Sequence, residues 1–147
     1  MVVETAERSE YMGFTEPHTK FAWHIITIGD RGIGPDSLEN HNVTTIRDYA
    51  IESWLDEHRP DVQYASAGSH TEAMTSLADG TSDAFLGSWD VASHYAAELG
   101  IEDIYDAGTI GSGHDMRIGY RGDMPILGAI MQDVVDQMPE DRKAAID

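Results

Sequence analysis

Two turns gather the side chains best suited to holding a small molecule, Arg47-Asp48-Tyr49 and Gly87-Ser88-Trp89. Each sets polar or aromatic groups at the expected start of a helix, where unpaired amides attract negative charge. Asp48 and Asp90 are the carboxyl groups that could serve there as a general acid, and both also suit the capping of a helix start. Other chemistry is poorly supplied. With no cysteine, the chain has no disulfide, thiolate metal site or sulfur nucleophile. The histidines are scattered: His70 and Glu72 stand two apart near a helix start, a poor geometry for one ion, and His18 and His24 flank an extended stretch. Neither a metal nor a cofactor is expected. Gly32-Ile33-Gly34 has no strand close before it and no helix after it, so it is not a dinucleotide fingerprint. Arg121-Gly122-Asp123 matches a cell-adhesion tripeptide but falls in a turn before Pro125. Asn42-Val43-Thr44 is a formal glycosylation sequon entering a strand.

The elements that must position these turns follow from hydrophobic period and punctuation. Residues 21–28 read as a buried strand, 29–42 as a polar loop and 43–46 as a short strand. Residues 50–58 read as a helix with Ile51, Trp54 and Leu55 on one face, stopped before Pro60. A strand at 62–65 precedes Ser69-His70-Thr71-Glu72, a capping box in which Ser69 accepts from an early helix amide and Glu72 reaches back. That helix carries Ala73, Met74, Leu77 and Ala78 and ends at Gly80. A strand at 84–86 leads to a helix at 89–99, closed by Gly100. Ile104 and Tyr105 begin a short strand, and Met116, Ile118 and Tyr120 alternate as another. Residues 124–138 form an amphipathic helix with Leu127, Ile130, Met131, Val134, Val135 and Met138 at helical spacing, and a last helix starts at Pro139. Strands alternating with helices predict an α/β fold with a mostly parallel sheet, whose ligands sit beyond the carboxyl ends of the strands.

Composition narrows the partners. The 147 residues suffice for one domain with a core, and 41% apolar content is ordinary for a globular chain. No apolar run is long enough to span a bilayer, and Met1-Val2-Val3-Glu4-Thr5 does not read as a signal peptide. Asp and Glu number 27 against 9 Lys and Arg, a net charge of -18 that repels nucleic-acid backbones. Such a surface suits a chain shaped for high salt, which screens the repulsion among carboxylates. The melting temperature should therefore rise in molar salt, and a thermal melt unchanged by salt would contradict that reading.

Five stretches carry a family resemblance. They are Thr5-Ala6-Glu7-Arg8-Ser9-Glu10-Tyr11-Met12-Gly13-Phe14-Thr15-Glu16-Pro17, then Ser37-Leu38-Glu39-Asn40 with residues 43–47, and Asp48-Tyr49-Ala50-Ile51-Glu52-Ser53-Trp54-Leu55 with Pro60 after it. Thr71-Glu72-Ala73-Met74 with Leu77, Gly80 and residues 83–87, and residues 117–127, complete the set. In their order and spacing they resemble bacterial family 3 extracellular solute-binding proteins over nearly the whole chain. Tyr49-Ala50-Ile51 is more similar to the versions joined to sensor histidine kinases and diguanylate cyclases than to free transport receptors.

The resemblance implies a type II periplasmic-binding-protein (Venus flytrap) fold with part of one lobe missing. Residues 1–20 would be the end of lobe 1 and the hinge, 21–113 lobe 2, and 114–147 the return into lobe 1. It implies an extracytoplasmic module that binds a small solute by lobe closure, reaching a membrane only through a fused segment outside this chain. Arg8 stands at the family's ligand-carboxylate arginine, so an anionic or carboxylate-bearing ligand is expected. Asp48 and Tyr49 stand where the family has Gly and Ser or Thr. Ser88 replaces the aspartate that holds a ligand ammonium, Val3 replaces a small hydroxyl residue, and both argue against an ordinary amino-acid ligand. Trp89 either lines the cleft or packs in the core. The competing expectations are an enzyme on the same fold, similar to cyclohexadienyl dehydratases, and a structural module with an empty cleft. An exposed apolar face, where the missing part of lobe 1 would pack, gives the expectation of a homodimer.

Overall fold

The computed structural model describes residues 2–139, 142 and 143, except for the side chain of Ser112. In chain order the elements are β1 (Val2–Val3), α1 (Ala6–Ser9), β2 (Met12–Phe14), β3 (Thr19–Ile28), β4 (Val43–Ile46) and α2 (Ala50–His58). There follow β5 (Tyr64–Ala67), α3 (His70–Ala78), β6 (Ala84–Gly87), α4 (Trp89–Leu99), β7 (Ile104–Arg117), β8 (Gly119–Arg121) and α5 (Pro125–Asp136). The chain divides into two units: Met1–Phe21 with Ser112–Asp147, and Ala22–Gly111. No helix among the described residues is long and apolar enough to cross a membrane.

The second unit is built on a sheet in which β3, β6, β4 and β5 are successive neighbours. β4 runs parallel to β5 and β6, while β3 is antiparallel to β6. The central strands are buried on both faces, which explains the near-continuous apolar runs at residues 23–28 and 84–86. One face receives α2, where Trp54 meets Trp23 of β3 with ring centroids 5.8 Å apart. The other face receives α3 and α4, whose Ala73, Met74, Leu77, Ala92 and Ala96 pack on Ile26, Ile46 and Phe85. That split follows from the topology: the chain steps from β4 to β5 on one side, then crosses back over β4 to β6, and right-handed crossovers in opposite directions put their helices on opposite faces.

β4 carries two threonines into the core, and each finds a partner, as buried hydroxyls must. Thr44 bonds the hydroxyl of Ser82 on the α3 side, and Thr45 donates to Glu52 Oε1 of α2 at 2.9 Å. The segment at 29–42 is more ordered than a polar loop. It contains a 3-10 turn at Leu38–Asn40 and buries Ile33 and Leu38. Arg59, after α2, fastens this segment by donating to Pro35 O at 2.8 Å and pairing with Glu39 and Asp61.

In the first unit β2 pairs antiparallel with β8, and β1 with the end of β7. Helix α5 packs on both β2 and β8. Residues Arg121 and Asp123 of the Arg-Gly-Asp tripeptide bind each other through two hydrogen bonds, at 3.0 and 2.7 Å. The apolar periodicity of α5 does not describe a buried face. Only Gly128 and Val135 are buried, while Ile126, Ile130 and Val134 are 78%, 57% and 55% exposed. Of the helix expected from Pro139, Arg142 and Lys143 are helical, and the rest lies outside the described residues.

Candidate functional site

In the second unit, β4, β5 and β6 all end in a turn that opens a helix, with Tyr49, Ser69 and Ser88 as the N-caps of α2, α3 and α4. Because α2 leaves to one face and α3 and α4 to the other, the chain diverges beyond the carboxyl end of β4. Open α/β sheets bind small molecules at such a crevice.

The first two turns are fixed in the same way. At α3, Ser69 Oγ accepts from Glu72 N at 3.1 Å. The returning bond of the expected capping box is shifted by one residue: Glu72 Oε2 accepts from Gly68 N at 2.7 Å, not from Ser69. At α2, Glu52 Oε2 likewise accepts from Asp48 N at 2.9 Å. The expected capping role of Asp48 is therefore corrected. Tyr49 is the N-cap, and Asp48 sits one residue outside the helix at φ 63°. That left-handed conformation is costly for a residue with a Cβ, though less so for Asp than for most. It gives a physical reason for the glycine that the resembling family carries here. Glu52 Oε1 also accepts from Thr45 Oγ1 and from Ser66 Oγ, so one carboxylate ties the start of α2 to the neighbouring strands β4 and β5.

The third turn is held differently. Ser88 is the N-cap of α4 by backbone geometry, but its hydroxyl makes no capping bond. Trp89 is partly buried and packs against the core cluster. Asp90, in the first helical turn, is exposed. Tyr49 is 47% exposed, and its ring lies at 71° to that of His70 with centroids 5.6 Å apart. Asp48 with Tyr49 and Ser88 with Trp89 thus occupy the turns of two adjacent parallel strands. Arg8 belongs to the first unit. It lies in α1, half-buried, and Nη1 donates to Val3 O at 2.9 Å. Nearby in the sequence, Glu4 is engaged by Arg117, with Nε 3.4 Å from Glu4 Oε2.

His70 is legible in the sequence only as a poor metal ligand, yet it stands beyond the carboxyl end of β5 as the first residue of α3, as Trp89 is of α4. Its ring is stacked on Tyr95 of α4 with centroids 5.1 Å apart and planes 10° apart, and it lies nearly perpendicular to the ring of Phe85. The signal was available: a capping box beginning at Ser69 makes His70 the first helical residue after a strand. Among the described residues, no group of three or more His, Asp or Glu side chains is placed to hold a metal ion.

Burial holds the His70 imidazole below the ordinary histidine value. The unfolded chain therefore takes up a proton at this residue before the folded chain does. Its stabilising share is present above the ordinary pKa and is lost as pH falls through that value toward the folded one. Acidification below about 6.5 should weaken the native chain more than it weakens a His70→Phe variant. Paired urea titrations across that range would check this, and identical pH slopes would contradict it.

No family model matches the chain. Over 92 residues, 61% of its length, it is 28% identical to the virulence sensor protein BvgS of Bordetella bronchiseptica, of which it spans 7%. It superimposes on the periplasmic VFT2 domain of Bordetella pertussis BvgS with TM-score 0.84 at 20% identity, covering 99% of this chain and 63% of that one. The L-cysteine solute receptor of Neisseria gonorrhoeae gives TM-score 0.80 at 19% identity, with 98% and 59% covered. The chain thus spans less than two thirds of each of these proteins. Topology, helix starts and these likenesses agree on the architecture: the chain has the Venus flytrap fold of the periplasmic-binding-protein-like receptor and sensor domains.

Proposed function

We propose that this chain is an extracytoplasmic small-solute-binding module, a binder rather than an enzyme, serving the sensor region of a signalling protein or a transport receptor. The observation that carries the reading is the rim of three turns at the carboxyl ends of β4, β5 and β6. There Tyr49, His70 and Ser88 offer hydrogen-bonding groups that no cap consumes. The sequence relationship to a sensor protein and the fold shared with a solute receptor support it. In this reading residues 21–113 form one lobe, and residues 1–20 and 114–147 contribute to the other. Arg8 anchors an anionic or carboxylate group with its planar fork. Tyr49, Ser88 and the Asp48 turn contact the solute from the β4 and β6 ends, with Trp89 supporting Ser88 from the core side.

The test is a thermal-shift screen of the 147-residue chain, and of the whole protein it belongs to, against amino acids, carboxylates and other small anions, beside Arg8→Ala. A solute that raises the melting temperature of the native protein and not of the variant supports the reading. Turnover of a solute to product would move the assignment to an enzyme. Absence of any stabilising solute from both proteins would overturn the binding function.

A further inference from the structure

His70 is held by rings rather than by hydrogen bonds. Tyr95 covers one face in a near-parallel stack, at 5.1 Å and 10°. Tyr49 and Phe85 approach at steep angles, 71° and 85°, with centroids 5.6 and 6.4 Å away. These contacts set the plane of the imidazole, yet none of them uses its nitrogens. Among the described residues neither ring nitrogen has a hydrogen-bond partner. A phenyl ring would make the same contacts without the cost of desolvating two polar atoms. The imidazole is only half-buried, so its polar edge remains within reach of a solute. It stands where the Venus flytrap topology opens its crevice, beside the exposed phenol of Tyr49.

We propose that His70 is a ligand-contacting residue, hydrogen-bonding an uncharged polar group of the solute, an amide, hydroxyl or ring nitrogen, and that Tyr95 is the positioning residue that orients its ring. This rests on the solute-binding reading above and deepens it by naming what the β5 end of the rim recognises. A neutral imidazole can donate through one nitrogen and accept through the other, which suits amide and hydroxyl groups. Burial, which keeps the ring neutral near pH 7, is consistent with that role.

The experiment uses the intact protein with histidine nitrogens labelled. Succinamate and 4-hydroxybenzoate are titrated beside succinate and benzoate, which lack the neutral group, together with every solute that stabilises the protein in a broad screen. The expected result is a shift of the His70 ring-nitrogen signals on binding and a preference of about tenfold for the solute carrying the neutral group. His70→Phe, which keeps the ring packing, should lose that preference while still binding the parent acid. Tyr95→Leu should weaken binding, and Tyr95→Phe should restore it. A solute that stabilises the protein but leaves the His70 signals unmoved, and binds His70→Phe equally well, overturns this assignment and leaves the solute-binding function standing. Failure of every solute to stabilise the protein overturns both, so the two failures are distinct.

Discussion

Replacing Glu52 with alanine should destabilise the chain by about 2–4 kcal/mol, more than its half-exposed position on a helix suggests. The carboxylate is the acceptor for three donors at once: Thr45 Oγ1, Ser66 Oγ and Asp48 N. Thr45 and Ser66 are direct cross-strand neighbours in the β4–β5 ladder, so their hydroxyls reach the same face and one Glu side chain spans them. Of the three, Thr45 is fully buried, and without Glu52 its hydroxyl has neither this acceptor nor water. The Thr45 bond, the one of the three that is shielded from water, contributes about 1.5–3 kcal/mol as a bond to a charged acceptor, and the two exposed bonds, which water can replace, add less. Glu52→Gln should cost about half as much, because the amide oxygen still accepts. Thr45→Val combined with Glu52→Ala should recover about 1 kcal/mol relative to Glu52→Ala alone, since the stranded hydroxyl is then gone. Denaturant melts of the three variants decide it. A double variant no more stable than Glu52→Ala would mean that Thr45 does not depend on this carboxylate.

The same bond set has a functional corollary. Asp48 keeps a left-handed backbone, and Glu52 grips its amide from the first turn of α2. Tyr49 follows directly, so the orientation of its phenol depends on that grip. Loss of Glu52 should therefore weaken solute binding at temperatures where the variant is still folded, an effect separable from stability by titrating well below its melting point.

Elements that follow local rules were legible in the sequence. Helix α2 runs from 50 to 58 and α4 from 89 to 99, as expected, because an apolar face and a stop signal coincide: Pro60 for one, and for the other Gly100 in the left-handed C-cap. What escaped depends on the partner rather than on the segment. The short strand expected at Ile104 is a fourteen-residue strand through Arg117. Its Gly108, Gly111 and Gly113 all take positive φ, and such residues read locally as breaks. The strand expected at 62–65 lies two residues later, because pairing with β4 sets its register rather than its own weak pattern. Helix α1 is four residues long, too short for periodicity to mark, and is fixed by Thr5 Oγ1 accepting from Arg8 N. At the candidate site, Asp48, Tyr49, Ser88 and Trp89 could be singled out because strand–turn–helix order exposes such turns. His70 sits in an equivalent turn, but its ring partner Tyr95 lies 25 positions away on α4, and no sequence period links the two.

The first unit contains a packing arrangement that predicts a reversal of a general rule. Alanine in place of glycine inside a helix ordinarily stabilises by about 1 kcal/mol. Gly128→Ala in α5 should instead destabilise by about 1–3 kcal/mol, the usual cost of overpacking. A Cβ at Gly128 would overlap the distal ring atoms of Tyr120, closer than real Cβ contacts allow. The ring cannot swing clear without meeting β2, because the same atoms lie over Gly13, its cross-strand partner in the β2–β8 ladder. Two glycines therefore form the slot in which one tyrosine joins α5 to the β2–β8 ribbon, and the helix tolerates a poor helix former to keep it. The decisive comparison is the same substitution in a Tyr120→Ala background. With the ring removed, the three closest contacts of the added methyl are gone, and Gly128→Ala should recover its ordinary sign and stabilise by up to about 1 kcal/mol. Thermal and urea melts of the four proteins give the sign directly. Stabilisation of the unmodified chain by Gly128→Ala would show that the ring does not occupy this slot.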